Sequence, residues 1–197
     1  MKLHYSPTSP YARKALAVAK HHGLAIELVA SNPSQNPAHL LAVNPLCKIP
    51  SLETDDGVAL NDSPIICEYL DHLGQGPKLF PAPGPARWRA LALAALTDGI
   101  LDAAVPRRGQ QAFPMDEGRS AMVGRFQSAM SRTVDALEGM DLSGPLDIGK
   151  LGVVVALGYL DFRYAQEPWR PGHPKLEAFY AEQMKNPIFS ETAPPPA

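Results

Sequence analysis

A short segment rich in glycine and proline divides this sequence into two parts of different character. Seven of the twelve residues from 74 to 85 are glycine or proline, which helices and strands largely exclude from their interiors. Strand-like and helix-like runs alternate before this segment, and only helix-like patterns follow it. The sequence therefore predicts two domains, residues 1–76 and 86–197, joined by a linker over residues 77–85. We expect a packed linker, because it contains the apolar pair Leu79-Phe80.

In the first part, the predicted strands and helices alternate along the chain. Strands are predicted over residues 2–5 and 25–30, with a helix over residues 10–22 between them. Asp56-Gly57 lies between two short apolar pieces and favours a β-hairpin. Because a strand joined to the next through a helix pairs with it in parallel, the order β-α-β-α-β-β-α predicts a mixed sheet with an antiparallel edge.

The second part is predicted to be entirely helical. Helices are expected over residues 86–104, 116–140 and 147–164, and from His173 onwards. The third of these is apolar on nearly every side, so we expect it to lie buried at the centre of a helical bundle. Pro106 is expected to kink or end the first helix, because proline lacks the backbone N–H of a helical residue.

The charge and cysteine content disfavour several classes of protein. The chain carries 18 Lys and Arg residues against 20 Asp and Glu, a balance that disfavours a nucleic-acid binder. No run of about 18 apolar residues occurs, so we expect no membrane span. The first residues also do not resemble a secretion signal. Two cysteines are too few for a disulfide framework, which favours a cytoplasmic location. The six histidines lack metal-ligand spacing, so no metal is expected.

Four separated stretches of the chain carry motifs that point to one family. They run from Ser6 to Lys14, from Asn44 to Pro50, from Asn61 to Leu70 and from Ala156 to Arg163. Together they resemble the cytosolic glutathione transferase family, in particular its bacterial, serine-type members. The resemblance covers essentially the whole chain. It implies a thioredoxin-like α/β domain that binds glutathione, followed by an all-α helical-bundle domain that contributes the second-substrate site.

The resemblance also implies an activity. We expect a cytoplasmic homodimer, active in detoxification, that binds glutathione as its co-substrate, stabilises the thiolate with Ser9 and adds it to a small electrophile. Two alternatives stay open: a non-catalytic glutathione-binding or partner-binding regulatory protein, and glutathione-dependent thiol–disulfide exchange through Cys47. The sequence leaves open whether the reaction is transfer, isomerisation or peroxide reduction.

Ser9 is the candidate catalytic residue. It precedes Pro10, and serine at the N-cap with proline at the first helical position is a favoured helix start. The N-terminus of a helix stabilises an anion, so a thiolate held there by the Ser9 hydroxyl would form at lower pH. Ser9 as a helix cap alone is the alternative, and Ser6 is a second candidate for the contact with sulfur.

In the resembled family, the proline that corresponds to Pro50 follows a cis peptide bond and ends a loop beside the bound tripeptide. This turn would leave the N–H and C=O of Ile49 able to pair with an extended peptide, as an added strand does. Lys48 is expected to meet the glycine carboxylate of glutathione, with an ordinary solvated lysine as the alternative.

Asp62 and Ser63 correspond to the pair that holds the γ-glutamyl end of glutathione in the family. The carboxylate of Asp62 would bind the ammonium group, and Ser63 with its helix N-terminus would bind the α-carboxylate. Ser63, followed by Pro64, is also the expected N-cap of this helix, and a purely capping role is the alternative. Asp62 is shorter than the glutamate that is more usual at its position.

Further contacts are expected from both predicted domains. Asp102, on the first helix after the linker, is expected to reach glutathione across a dimer interface. Tyr11, Arg107, Arg108 and Phe113 are candidates for the second-substrate pocket, where a basic rim would suit acidic electrophiles. A solvated basic cluster is the alternative for the two arginines.

Two positions depart from the pattern of the family. Cys47 stands where the family usually has glycine, and it is either an inert loop thiol or one that forms a mixed disulfide with glutathione. At the start of the central helix, Asp147 can serve as N-cap, but Lys150 occupies the place of the acidic partner in a capping box. A lysine is unfavourable near the positive end of a helix.

Overall fold

The computed structural model describes residues 1–195, which form two compact units. The first unit comprises Met1–Pro81 and a segment that begins at Pro187, and the second comprises Ala82–Asn186. The domain boundaries drawn from the sequence stay predictions, and the last two residues of the predicted helical domain lie outside the described residues.

The first unit contains a four-stranded mixed sheet with the strand order β2-β1-β3-β4. Strand β1 pairs in parallel with β2 and antiparallel with β3, which pairs antiparallel with β4. This arrangement confirms the predicted thioredoxin-like sheet. Its elements are β1 (Lys2–Tyr5), α1 (Pro10–His21), β2 (Glu27–Ala30), α2 (Ala38–Val43), β3 (Ser51–Glu53), β4 (Ala59–Asn61) and α3 (Ser63–Leu73).

The core of the first unit forms where α1 and α3 pack together beside the sheet. Leu3 of β1 and Leu52 of β3 are fully buried, as are Ile66 and Leu70 of α3. In the predicted linker, Leu79 and Phe80 are buried as expected, whereas most of its other residues are exposed. Burial of apolar surface is the main force that holds these elements together.

A short helix that the sequence analysis does not predict, α8 (Pro187–Ser190), also belongs to the first unit. Its Phe189 is fully buried, and the Phe189 carbonyl accepts a hydrogen bond of 3.2 Å from the buried Arg13 side chain of α1. Four residues are too few for a helical period to be recognised, so this element depends on its tertiary contacts.

The second unit contains four helices, α4 (Pro85–Gln111), α5 (Glu117–Glu138), α6 (Ile148–Arg163) and α7 (Pro174–Gln183). Helix α6 is buried continuously from Ile148 to Leu160, which confirms its predicted place at the centre of the bundle. The expectation that the first helix stops near Ala104 is wrong, because α4 continues through Pro106. Proline already has a helical φ, and its cost falls mainly on one lost hydrogen bond and a clash with the preceding turn.

The start of α6 accommodates Lys150 through the capping residue itself. Asp147 caps the helix, because its Oδ1 accepts a hydrogen bond of 3.0 Å from the Lys150 N–H. The Lys150 ammonium lies 3.2 Å from the other carboxylate oxygen of Asp147 and donates to the Pro145 carbonyl at 2.6 Å. The lysine charge is therefore offset locally.

Within residues 1–195, no helix has both the length and the apolar character needed to cross a membrane.

Helices α4 and α6 approach each other closely at two glycines of α6. A Cβ atom on Gly149 would lie 2.7 Å from the Ala90 carbonyl oxygen, and one on Gly152 would lie 2.3 Å from Thr97 Oγ1. Thr97 is itself almost fully buried, at 1% exposure, so it has little room to move. The absence of a side chain at these positions therefore lets the two helices pack as closely as they do.

Replacing Gly152 with alanine is expected to lower the free energy of unfolding by about 1–3 kcal/mol, because the added methyl group overpacks a closed contact. The matched control is Gly124→Ala in α5, where an added Cβ meets nothing within 4 Å. That change is expected to stabilise the protein by up to about 1 kcal/mol, since alanine favours helix more than glycine does. Urea denaturation followed by circular dichroism measures both, and equal effects would contradict the close contact.

Candidate functional site

Three segments of the first unit meet at one end of its sheet. Ser51 begins β3 and pairs with His4 near the end of β1 and with Asn61 at the end of β4. The turn before α1, the loop before β3 and the start of α3 therefore lie at the same edge. The distance from β1 to β4 across the sheet is two strand spacings, about 10 Å, which is close to the length of an extended tripeptide.

The turn before α1 places Ser9 at the tip of that helix. Ser9 is half-buried, and its Oγ accepts a hydrogen bond of 3.3 Å from the Ala12 N–H, which confirms it as the N-cap. The hydroxyl proton is not used in this bond, so Ser9 can donate it to an anion beside the helix. Tyr11 is half-buried in the same first turn.

Ser6, the second candidate, lies at the start of the same turn. Its backbone carbonyl accepts from the Ser9 N–H at 3.0 Å. The Ser6 hydroxyl lies 3.2 Å from Thr8 Oγ1 and accepts weakly from the Thr8 N–H at 3.4 Å. Both contacts of the Ser6 side chain are therefore to Thr8, whereas Ser9 has a hydroxyl at the helix terminus.

The loop before β3 presents an unpaired stretch of backbone. The Ile49–Pro50 peptide bond is cis, as the resemblance implies. Among residues 1–195, neither the N–H nor the C=O of Ile49 has a hydrogen-bond partner, and Ile49 is half-buried. Lys48 is exposed and forms no ion pair within that part of the chain. This backbone can pair with an added extended chain.

Asn44 holds this loop in place, a role that the sequence analysis misses. Asn44 is 2% exposed, and its Nδ2 donates to the Lys48 carbonyl at 3.2 Å and to Ser51 Oγ at 3.1 Å. Its Oδ1 accepts from the Leu46 N–H at 2.9 Å. Asn44 stands inside a recognised motif, but these partners are visible only once the loop has folded.

Cys47 occupies a left-handed backbone conformation, with φ of 50°. Glycine adopts this region at little cost, which explains why the resembled family usually has glycine there. The half-buried Cys47 thiol donates weakly to the Pro33 carbonyl, with an S···O distance of 3.5 Å. Neither of the two roles considered for this thiol follows from the contact.

The start of α3 holds a buried hydroxyl without a partner. Ser63 is 1% exposed, and its Oγ makes no hydrogen bond within residues 1–195. The expectation that Ser63 is the N-cap is wrong, because Asp62 takes that position and accepts from the Ser63 N–H at 2.8 Å. Asp62 is exposed and has a φ of 73°, a conformation that non-glycine residues rarely adopt and that often marks a ligand site.

The candidate residues of the second unit differ in exposure. Asp102 is exposed on α4, and Arg108 and Phe113 are exposed near its end. Arg107 is only 3% exposed: its guanidinium pairs with Glu167 at 2.8 Å and lies 4.7 Å from the centre of the Tyr164 ring. The proposed roles of all four stay predictions.

Within residues 1–195, no group of three or more His, Cys, Asp or Glu side chains could hold a metal ion. The three segments bring hydroxyls, backbone amides, a carboxylate and a lysine to the end of the sheet.

Comparisons with known proteins agree with this geometry. A family model described as "Glutathione S-transferase, N-terminal domain" matches residues 8–73. The "Uncharacterized GST-like protein YibF" of Escherichia coli K12 is 31% identical over 202 residues, covering all of both chains. The crystal structure of a glutathione transferase family member from Pseudomonas fluorescens Pf-5, with bound glutathione, matches with a TM-score of 0.91 and 38% identity over 98% of each chain.

One further relative matches only about half of this chain. Maleylacetoacetate isomerase of Pseudomonas aeruginosa is 35% identical over 101 residues, which cover 49% of this chain and 48% of that protein.

Proposed function

This chain belongs to the glutathione transferase family, and from that premise we propose that it is an enzyme that activates the thiol of glutathione with Ser9 and adds it to a small electrophile. The bound glutathione of the Pseudomonas fluorescens relative supports this proposal. The end of the sheet also supports it, because its three segments present hydrogen-bond donors over a distance close to the length of an extended tripeptide.

The observation that carries the proposal is the buried, unpartnered hydroxyl of Ser63. A buried polar group without a partner costs free energy, so it is expected to have one in the functional state. Ser63 lies in the first turn of the 11-residue helix α3, where the helix dipole favours an anion. A carboxylate bound there supplies the missing partner, and the adjacent Asp62 supplies a counter-charge for an ammonium group. The γ-glutamyl end of glutathione carries both groups.

The remaining roles follow along the edge of the sheet. The Ile49 backbone pairs with the cysteinyl unit, beside Pro50, and Lys48 binds the glycine carboxylate. The thiol then lies at the tip of α1, where Ser9 donates to the thiolate and the helix dipole lowers its energy. The thiolate attacks the electrophile, and forming a thiolate at neutral pH is the main catalytic contribution of the protein.

We propose that the second substrate is held by the helical unit, with Tyr11, Arg107, Arg108 and Phe113 as candidate contacts, and that the enzyme is a cytoplasmic homodimer that removes reactive electrophiles. Two exposed apolar side chains of α4, Trp88 at 70% exposure and Leu96 at 38%, support contact with a second copy. Asp102 lies on the same helix and would reach the partner's glutathione.

Isomerisation is a second candidate function, favoured by the partial match to maleylacetoacetate isomerase. A thiolate can isomerise a double bond by adding to it and leaving again, so the same activated thiol would serve both reactions. Glutathione consumption separates them, because conjugation uses one glutathione per turnover and isomerisation uses none.

Replacing Ser63 with alanine is expected to weaken glutathione binding by about 10- to 100-fold, because hydrogen bonds to charged groups contribute about 1.5–3 kcal/mol. The free protein should be no less stable than the wild type, since the lost hydroxyl has no partner in it and its removal relieves a desolvation cost. Titration calorimetry and thermal unfolding measure the two quantities. The matched control is Ser128→Ala, at an exposed position of α5 that should affect neither.

Two results would count against the proposal. Unchanged glutathione affinity in Ser63→Ala would remove Ser63 from the site. A wild-type protein that does not bind glutathione at millimolar concentration would exclude the proposed enzyme and favour a partner-binding role.

A further inference from the structure

A cluster of arginines and a phenol in the helical unit has fewer acidic partners than it has cations. Tyr159 and Arg163 are one turn apart on α6 and therefore share a face of that helix. Arg107 and Arg108 belong to the part of α4 beside this end of α6, since the Tyr164 hydroxyl donates to the Ala104 carbonyl at 2.6 Å.

The ion pairs of this cluster are incomplete. Glu167 pairs with Arg107 at 2.8 Å, but neither Arg108 nor Arg163 has an ion pair within residues 1–195. The Nε atom of Arg163 is buried without a hydrogen-bond partner, as are Nε and Nη1 of Arg107. The helix dipole at the end of α6 offsets about half a charge, which does not balance two unpaired guanidinium groups.

The surroundings of Arg163 restrict its guanidinium. Its Cζ atom lies 3.8 Å from the centre of the Phe162 ring, and the side chain is only partly exposed. Tyr159, at 5% exposure, is held edge-on to the same ring, with 6.5 Å between the ring centres. Such packing orients the charged group and lowers the entropy lost when it binds a ligand.

The Tyr159 hydroxyl is suited to donate a hydrogen bond. Burial raises its pKa, and the nearby cations Arg163 and Arg108 oppose this only in part. The phenol therefore remains protonated at neutral pH. A neutral phenol beside two cations is a donor set for a carboxylate.

We propose that Tyr159, Arg163 and Arg108 form a subsite for a carboxylate group of the second substrate. The inference rests on the proposed function and specifies its substrate class: an electrophile that carries a carboxylate. The unpaired guanidinium groups and the packed phenol favour this class over the neutral apolar electrophiles that an uncharged pocket would bind.

The test uses two compounds that differ in charge and do not react. Equilibrium binding of 3-nitrobenzoate and 3-nitrobenzamide is measured at fixed ionic strength, because screening affects charged contacts. The wild type is expected to bind the carboxylate more tightly than the amide. Arg163→Gln is expected to lose about 10- to 100-fold in affinity for the carboxylate, and Tyr159→Phe about 10-fold, with little change for the amide.

A matched control removes the same charge elsewhere. Arg89 is exposed on α4, 19 residues before Arg108, which is roughly 28 Å along the helix. Arg89→Gln should leave both affinities unchanged. Equal binding of carboxylate and amide by the wild type, or equal losses in Arg163→Gln and Arg89→Gln, would overturn the subsite.

A reactive pair extends the test to catalysis. With 4-chloro-3-nitrobenzoate or its amide, the thiolate electron pair forms the C–S bond and chloride leaves with the pair of the C–Cl bond. Arg163→Gln should lower kcat/KM for the benzoate by about 10- to 100-fold and spare the amide. Selective binding of the carboxylate without turnover of either compound would contradict the proposed transferase reaction while supporting the subsite.

Discussion

Replacing Ser9 with alanine is expected to raise the pKa of the glutathione thiol in the complex by about 1 to 2 pH units. The Ser9 hydroxyl accepts from the Ala12 N–H at 3.3 Å and has its own proton left for the sulfur. Alanine removes the donor, so the thiolate keeps only the contribution of the helix N-terminus. At a pH below both pKa values, each unit by which the thiol pKa rises lowers the thiolate fraction about tenfold.

The expected loss of activity therefore depends on pH. At pH 6.5, kcat/KM for conjugation should fall by about 10- to 100-fold. The loss should shrink above pH 9, because the thiolate then forms without the hydroxyl. Ultraviolet absorbance of the bound thiolate, recorded against pH in both proteins, measures the pKa directly and shows whether the change in rate follows it.

The loss of a helix cap must be distinguished from the loss of a thiolate donor, because the Ser9 hydroxyl caps α1 and is also proposed to donate to the thiolate. The matched control is Asp116→Ala, which removes the N-cap of α5, where Asp116 accepts from the Arg119 N–H at 2.7 Å. Both variants should lose about 1 kcal/mol of stability, and only Ser9→Ala should change the thiol pKa. An unchanged pKa in Ser9→Ala, with a raised one in Ser6→Ala, would transfer the role to Ser6.

The predictable parts of this protein are those that depend on neighbouring residues. Ser9 and Asp147 are predictable as caps because a cap needs only its own first turn. The hairpin around Asp56-Gly57 and the buried α6 likewise follow from local turn chemistry and from composition. The mixed sheet follows from the order of these elements, since connection rules leave few alternatives.

The features that the sequence analysis missed depend on partners that are distant in the chain. Helix α4 passes through Pro106, and the helix continues with Arg107 held by Glu167, 60 residues away. The cap of α3 moves to Asp62 through a positive φ that no local rule requires of aspartate. The unpartnered Ser63 hydroxyl is a property of the folded environment, which the order of residues alone does not reveal.

Replacing Asp71 with alanine is expected to lower the free energy of unfolding by about 3–5 kcal/mol, the largest stability effect we predict. Asp71 is 3% exposed on α3, and its carboxylate accepts from His22 Nε2 at 2.8 Å. It also accepts from the backbone N–H groups of Leu79 at 2.7 Å and Phe80 at 3.2 Å. One carboxylate therefore satisfies a histidine and two linker amides.

The expected loss of stability is large because these three donors are buried and cannot form hydrogen bonds to water instead. The His22 side chain is fully buried, at 0% exposure, and it fits only because Gly74 has no Cβ, which would lie 2.1 Å from its ring. Without Asp71, the ring and the two amides are left buried and unpaired, and each such group costs about 1–3 kcal/mol. The linker residues should then detach, and protease cleavage between residues 74 and 85 should become faster.

The chain offers a matched control in a second histidine–aspartate pair. His173 lies 2.9 Å from Asp135, but the Asp135 side chain is 61% exposed. Asp135→Ala should therefore cost no more than about 1 kcal/mol, because water replaces the lost partner. Urea denaturation by circular dichroism gives both values, and proteolysis reports on the linker. Equal losses in the two variants, or an unchanged cleavage rate in Asp71→Ala, would show that burial of the Asp71 network does not set its contribution.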